Sequence, residues 1–151
     1  VFLTVFLIVL SAGYTAGLVF VDHTTSSSPG GITEEFAGNE QSTSSTGDLK
    51  YAKSDREMYT LIHNHILSLA MVFFALGGIF YFSSIVSKRM KLFLLVEPLL
   101  AVVTTFGGIA LVRSVHPAFS WLVMISGISM VLCFATMTGL ILYELWRTPG
   151  R

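Results

Sequence analysis

Four long apolar runs, residues 1–21, 59–83, 92–112 and 121–146, constrain the fold before any other feature does. Each reaches the roughly 20 residues that a helix needs to cross the hydrocarbon of a bilayer. The chain therefore reads as an all-α membrane protein. Its expected form is four transmembrane helices in an antiparallel bundle, with one long extracytoplasmic loop, residues 22–58, between the first two helices.

Composition agrees with that reading. Hydrophobic residues make up 53% of the 151 positions and charged residues only 12%, with a mean hydropathy of +0.73. The formal net charge is zero, and the acids and bases are segregated along the chain, which removes the electrostatic basis for nucleic-acid binding. The single cysteine, Cys133, lies within an apolar run; it supports neither a disulfide framework nor a cysteine zinc cluster and reads as a small buried hydrophobe. Trp121 and Trp146 stand where the last run meets polar sequence, as interface anchors do.

The first run reads as a retained helix, because no basic segment precedes it as one would in a secretory signal. Orientation follows the lysines and arginines of the short flanks. Lys88, Arg89 and Lys91 crowd the link between the second and third runs, and Arg147 and Arg151 follow the fourth. Lys50, Lys53, Arg56 and Arg113 occupy the other side, three of them spread through the long loop. The density in the tight link places both termini inside, in a plasma or inner membrane, with residues 22–58 outside.

That loop is rich in Ser, Thr and Gly, which suits an irregular surface segment. Within it, Thr33 ahead of Glu34 and Glu35 suggests the N-cap of a short helix, and Ile32 and Phe36 would rest on the membrane surface or on a partner. A loop of this length is usually functional or disordered, and docking to another membrane subunit is the function it suits.

Helices in lipid gain no hydrophobic drive to associate, so small residues mark their contact faces. Gly13 and Gly17 form a GxxxG spacing, expected to serve helix packing or a contact with another subunit. Gly77 with Gly78 and Gly107 with Gly108 read as close-packing positions between the second and third helices. His63, Ala70, Gly77 and Ser84 recur at sevens, which points His63 into the bundle, whereas His65 lies about 200° further round.

Two groups of polar residues are candidates for chemistry. At the outer face, His63 and His116 are the minimum for bis-imidazole ligation of a b-type haem, with His65 as a further imidazole and Arg113 suited to a haem propionate or a quinone head group. Loop acids Glu34, Glu35, Glu40 and Asp48 offer metal-ligand types but no metal-binding spacing. Nearer the inner face stands Glu97, an intramembrane carboxylate and so a functional candidate. Its structural alternative is pairing with a snorkelling base from the group at Lys88, Arg89 and Lys91, and a proton relay would need a partner from another chain. Pro98 is placed in the first turn or two of its helix.

Sequence motifs for hydrolysis and for phosphate binding are absent. The expected function is therefore that of a small non-catalytic accessory subunit of a larger, energy-transducing membrane complex engaged in electron transfer, meeting other subunits through its helix faces and its long loop. A haem or quinone module on His63 and His116 is the alternative. Ion or proton conduction through Glu97 is the third.

Overall fold

A computed structural model describes residues 1–39 and 49–147 of the chain. Within these residues five α-helices follow in order: α1 (Phe2–Thr25), α2 (Pro29–Ala37), α3 (Asp55–Tyr81), α4 (Lys88–Ser114) and α5 (Ser120–Arg147), with a 3-10 turn at Pro117–Phe119 before α5. Among the described residues there is no strand. Four helices, α1, α3, α4 and α5, are long and apolar enough to cross a membrane, as expected from the four runs.

The helices extend beyond the apolar runs because local signals outside the hydrocarbon start them early. Ser54 and Glu57 form a capping box at the head of α3: the Ser54 hydroxyl accepts from Glu57 N, and Ser54 N donates to the Glu57 carboxylate at 2.8 Å. Two donors that a helix end leaves open are thereby satisfied. Ser87 caps α4 in the simpler way, accepting from Met90 N at 3.4 Å. Trp121 and Trp146 lie exposed near the two ends of α5. Their separation along the axis is roughly 38 Å, enough to bracket the hydrocarbon and reach into the headgroup region.

α4 is the centre of the bundle. It packs most extensively on α5 and next on α3, while α1 lies against α5. The α4–α5 seam is built from small and polar residues that let the backbones approach. Thr105 and Ser126 share a buried hydrogen bond at 2.8 Å, and Gly108 faces Val123 so closely that a Cβ there would stand 2.8 Å from Val123 Cγ2. Gly77 meets Leu95 of α4 in the same way, at 3.0 Å. Gly78 and Gly107, by contrast, face open space, so only one glycine of each pair serves packing within the chain.

α1 is attached along a narrow line. Leu7 and Thr25 are its buried residues, and its main anchor is the Tyr14 ring, stacked on Phe134 of α5 with centroids 3.9 Å apart and edge-on to Phe73 of α3. Gly13 and Gly17 are exposed, and a Cβ at either would meet nothing within 4 Å. Packing of the GxxxG pair within the chain is therefore not what the fold uses. Geometry explains this, since Gly13 and Gly17 sit about 100° and about 60° round the helix from Tyr14.

The described parts of the long loop, residues 22–39 and 49–58, form a folded cap where an irregular segment was expected. α1 ends in left-handed backbone at Ser26 and Ser27, with φ of 50° and 45°, and the Ser27 hydroxyl donates to Asp22 Oδ1 at 2.7 Å. The chain then reverses into α2. Its N-cap is Ser28, which accepts from Gly31 N at 3.0 Å ahead of Pro29, so the helix begins before Thr33. Proline in the first turn needs no donor and is set for helical φ. Ile32 and Phe36 are buried in the protein's own core, where α2 crosses α4 and α5, and are not laid on the membrane surface. Of the loop acids, Glu40 and Asp48 lie outside the described residues, as does Arg151.

Candidate functional site

The two polar regions singled out in the sequence have different fates. At the capped end, Glu35 is the hub: Lys53 Nζ reaches it at 2.6 Å and Lys50 Nζ at 3.2 Å. Lys50 also donates to Thr24 O at 2.9 Å. Burial alone would raise the Glu35 carboxyl, but the hydrogen bonds and charges of Lys53 and Lys50 outweigh it and hold its pKa below the usual carboxylate value. Arg113 Nε donates to Lys53 O at 2.8 Å, tying the end of α4 to the same strap. These contacts give Glu35 and Arg113 a fastening role.

The histidines are not gathered as expected. His63 is exposed, beside an open depression lined by Tyr59, Thr60, Ile62 and Asn64, all from α3. His116 caps the 3-10 turn, its Nδ1 accepting from Ala118 N at 3.1 Å, and α3 makes no contact with that turn. The expectation that His63 points into the bundle is corrected. The buried seam of α3 runs through Met58, Phe73, Leu76 and Phe80; Gly77 lies at its edge, and counting back by sevens from an edge residue drifts away from the seam.

His65 is the imidazole that meets another helix. Its ring lies 5.1 Å from that of Phe106 on α4, and Nδ1 stands 2.8 Å from Leu61 O. A carbonyl only accepts, so Nδ1 donates this hydrogen bond, which in a neutral imidazole leaves the lone pair on Nε2. This is the arrangement that orients a ligand imidazole.

Glu97 has the most developed surroundings. It lies roughly 14 Å along the α4 axis from Lys88, well inside the span. Its Oε1 accepts from the Ser129 hydroxyl, and its Oε2 accepts from Cys133 Sγ at 2.9 Å. Ser129 and Cys133 are one turn apart on α5, so one face of that helix presents both donors to the carboxyl. The expected basic partner is absent: Lys91 Nζ donates instead to Tyr81 O at 2.9 Å and Ser83 O at 2.5 Å. The hydrogen-bond partners that Glu97 does have come from α5. Pro98 is the eleventh residue of α4, deep in the helix rather than in its first turns, so Leu94 O loses its helical donor.

The Tyr14 hydroxyl of α1 and Thr138 Oγ1 of α5 are buried without hydrogen-bond partners among the described residues. Sequence reasoning missed the pairing of Glu97 with Ser129 and Cys133. Its available signal was the four-residue spacing of Ser129 and Cys133, which sets both on one face of α5.

Residues 26–151 match the Aq_1264_TM family, described as a transmembrane helical domain. The chain belongs to that family. The match begins at Ser26, the cap that closes α1, so the family domain takes in α2 to α5, the Glu97 cluster and the capped end, while α1 lies outside the matched range. No curated protein and no solved structure matches the chain. The protein is an integral membrane protein of four apolar helices.

Proposed function

We propose that this protein is a non-catalytic helical subunit of a larger membrane complex, docked to a neighbouring transmembrane helix through α1. The observation that carries the reading is the open Gly13–Gly17 groove. α1 spends little of its surface on its own bundle, with Leu7 and Thr25 its buried residues. The two glycines form an uncovered floor between Val9 and Phe20, both well exposed. Lipid tails gain nothing special from such a floor, whereas a second helix gains close backbone approach and dispersion contact.

In this reading the basic end, with Lys88, Arg89 and Arg147, faces the cytoplasm along with both termini, and the α2 cap faces outside. The cap buries its apolar residues against α4 and α5 and leaves Leu49 and Tyr51 exposed for a partner's outer domain. The complex is an energy-transducing one, and His65 supports a second reading within it. A neutral imidazole oriented by Leu61 O can ligate a b-type haem or bond a quinone, with the opposite ligand supplied by the partner; His65 takes the place first given to His63 with His116.

The reading is tested by substituting leucine for both glycines. Extracted in mild detergent from its native membrane, the wild-type chain is expected to travel in a particle much heavier than itself, and the Gly13→Leu, Gly17→Leu variant to travel alone. A monomeric wild type removes the proposal. For the second reading, visible absorbance of the intact particle that is unaltered in His65→Ala removes the haem.

A further inference from the structure

We propose that Glu97 is a proton-exchanging site within the membrane, with Ser129 and Cys133 as the groups that hold its carboxyl in both protonation states. The other carboxyls of the spanning helices, Asp22, Asp55, Glu57 and Glu144, lie near helix ends, so Glu97 is the ionisable carboxyl of the span interior. Intramembrane acids are costly and are kept where they pair or carry charge.

The groups around Glu97 leave the proton as the ion that balances its charge. From α5 it meets a hydroxyl and a thiol, Ser129 and Cys133, and the acid further along that helix, Glu144, accepts from Ser84 N and Oγ. From α1 comes the Tyr14 phenol, its ring on Phe134 and its hydroxyl buried without a partner among the described residues. α3 carries Asp55, Arg56, Glu57 and Tyr59 in its first two turns, His63 and His65 in its third and fourth, and Tyr81 at its other end. The acid of α2, Glu35, is bound by Lys50 and Lys53, and Glu34 is exposed at the cap. On α4 itself Lys91 is engaged by two carbonyls.

The cluster suits both forms of the acid. When ionised, the carboxylate accepts from the Ser129 O–H and the Cys133 S–H. Once protonated, one oxygen donates its new O–H to Ser129 Oγ, because a hydroxyl both donates and accepts, and the other oxygen still accepts from Cys133. Only an O–H bond forms or breaks, with water as the source and sink of the proton. The change needs rotation of one hydroxyl and no backbone movement. Glu97 and Ser129 are half-buried, so the cluster opens on the edge of the α4–α5 seam.

A hydrophobic carbodiimide reads this directly, since it adds to protonated carboxyls that face lipid. The intact chain in lipid nanodiscs is treated with dicyclohexylcarbodiimide over a range of pH, and the adduct is located by mass spectrometry. The adduct is expected on Glu97 at acid pH, falling about tenfold per pH unit above its midpoint, and missing from Glu97→Gln. In Ser129→Ala, which spares the carboxyl, the midpoint is expected to move. Absence of labelling at every pH, labelling that ignores pH, or a midpoint unmoved in Ser129→Ala overturns the proposal. Suppression of labelling by sodium at fixed pH also overturns it, by assigning the site to a metal cation.

Discussion

The Tyr14 ring of α1 lies flat on Phe134 of α5, with 3.9 Å between centroids and 6° between planes. Phe134 directly follows Cys133, whose thiol reaches Glu97, so one turn of α5 carries both the anchor of α1 and a hydrogen-bond partner of the intramembrane carboxyl. An aromatic pair contributes about 0.5–1.5 kcal/mol beyond the area it buries. Because α1 has few other buried residues, Tyr14→Ala is expected to loosen α1 alone. Hydrogen exchange in nanodiscs checks this: protection should fall in α1 and persist in α4 and α5.

The α4–α5 seam offers a matched pair of adjacent substitutions. At Gly108 an added methyl would meet Val123 Cγ2 at 2.8 Å, while at Gly107 it would meet nothing within 4 Å. The stiff branched Val123 side chain has little freedom to move aside. Gly108→Ala is expected to cost about 1–3 kcal/mol, the usual range for overpacking, and Gly107→Ala close to nothing. Unfolding by titration with denaturing detergent measures both.

Removing the Thr105–Ser126 hydrogen bond is a milder change. Such bonds between membrane helices average about 0.6 kcal/mol and reach about 1.7. Thr105→Val keeps the side-chain shape and is expected to fall within that range by the same titration. A larger loss would mean that the seam relies on this bond more than its geometry implies.

The capped end should respond to acid. The pKa of Glu35 is held down by Lys53 and Lys50 against its burial, so the folded state binds the proton more weakly than the unfolded chain does. The stabilisation is present above the unfolded carboxyl value and is lost as pH falls through the lowered folded value. Hydrogen-exchange protection of α2 should therefore decline in acid, and Glu35→Gln should start with less protection and lack that acid-dependent decline.

The spans were legible because hydropathy measures the lipid that a helix must cross. It does not measure the helix, and the capped first turns at Ser54–Glu57 and from Ser87 lie outside the apolar runs. The start of α2 was written in Ser28–Pro29, a stronger signal than Thr33. Glu97 stood out as an expensive residue, yet its partners did not, because contact between two helices leaves no period along either one. His63 was misassigned for a related reason: the seam of α3 is set by bulky Met58, Phe73 and Leu76, and small residues at its edge gave the wrong line.

The central claim is that α1 is a docking helix, and the size of the particle that contains this chain tests it most directly. Native mass measurement after gentle extraction from its own membrane should give an assembly far heavier than the chain's 16.5 kDa, reduced to the lone chain by leucine at Gly13 and Gly17. A wild-type particle of one chain, or an assembly indifferent to those leucines, would contradict it.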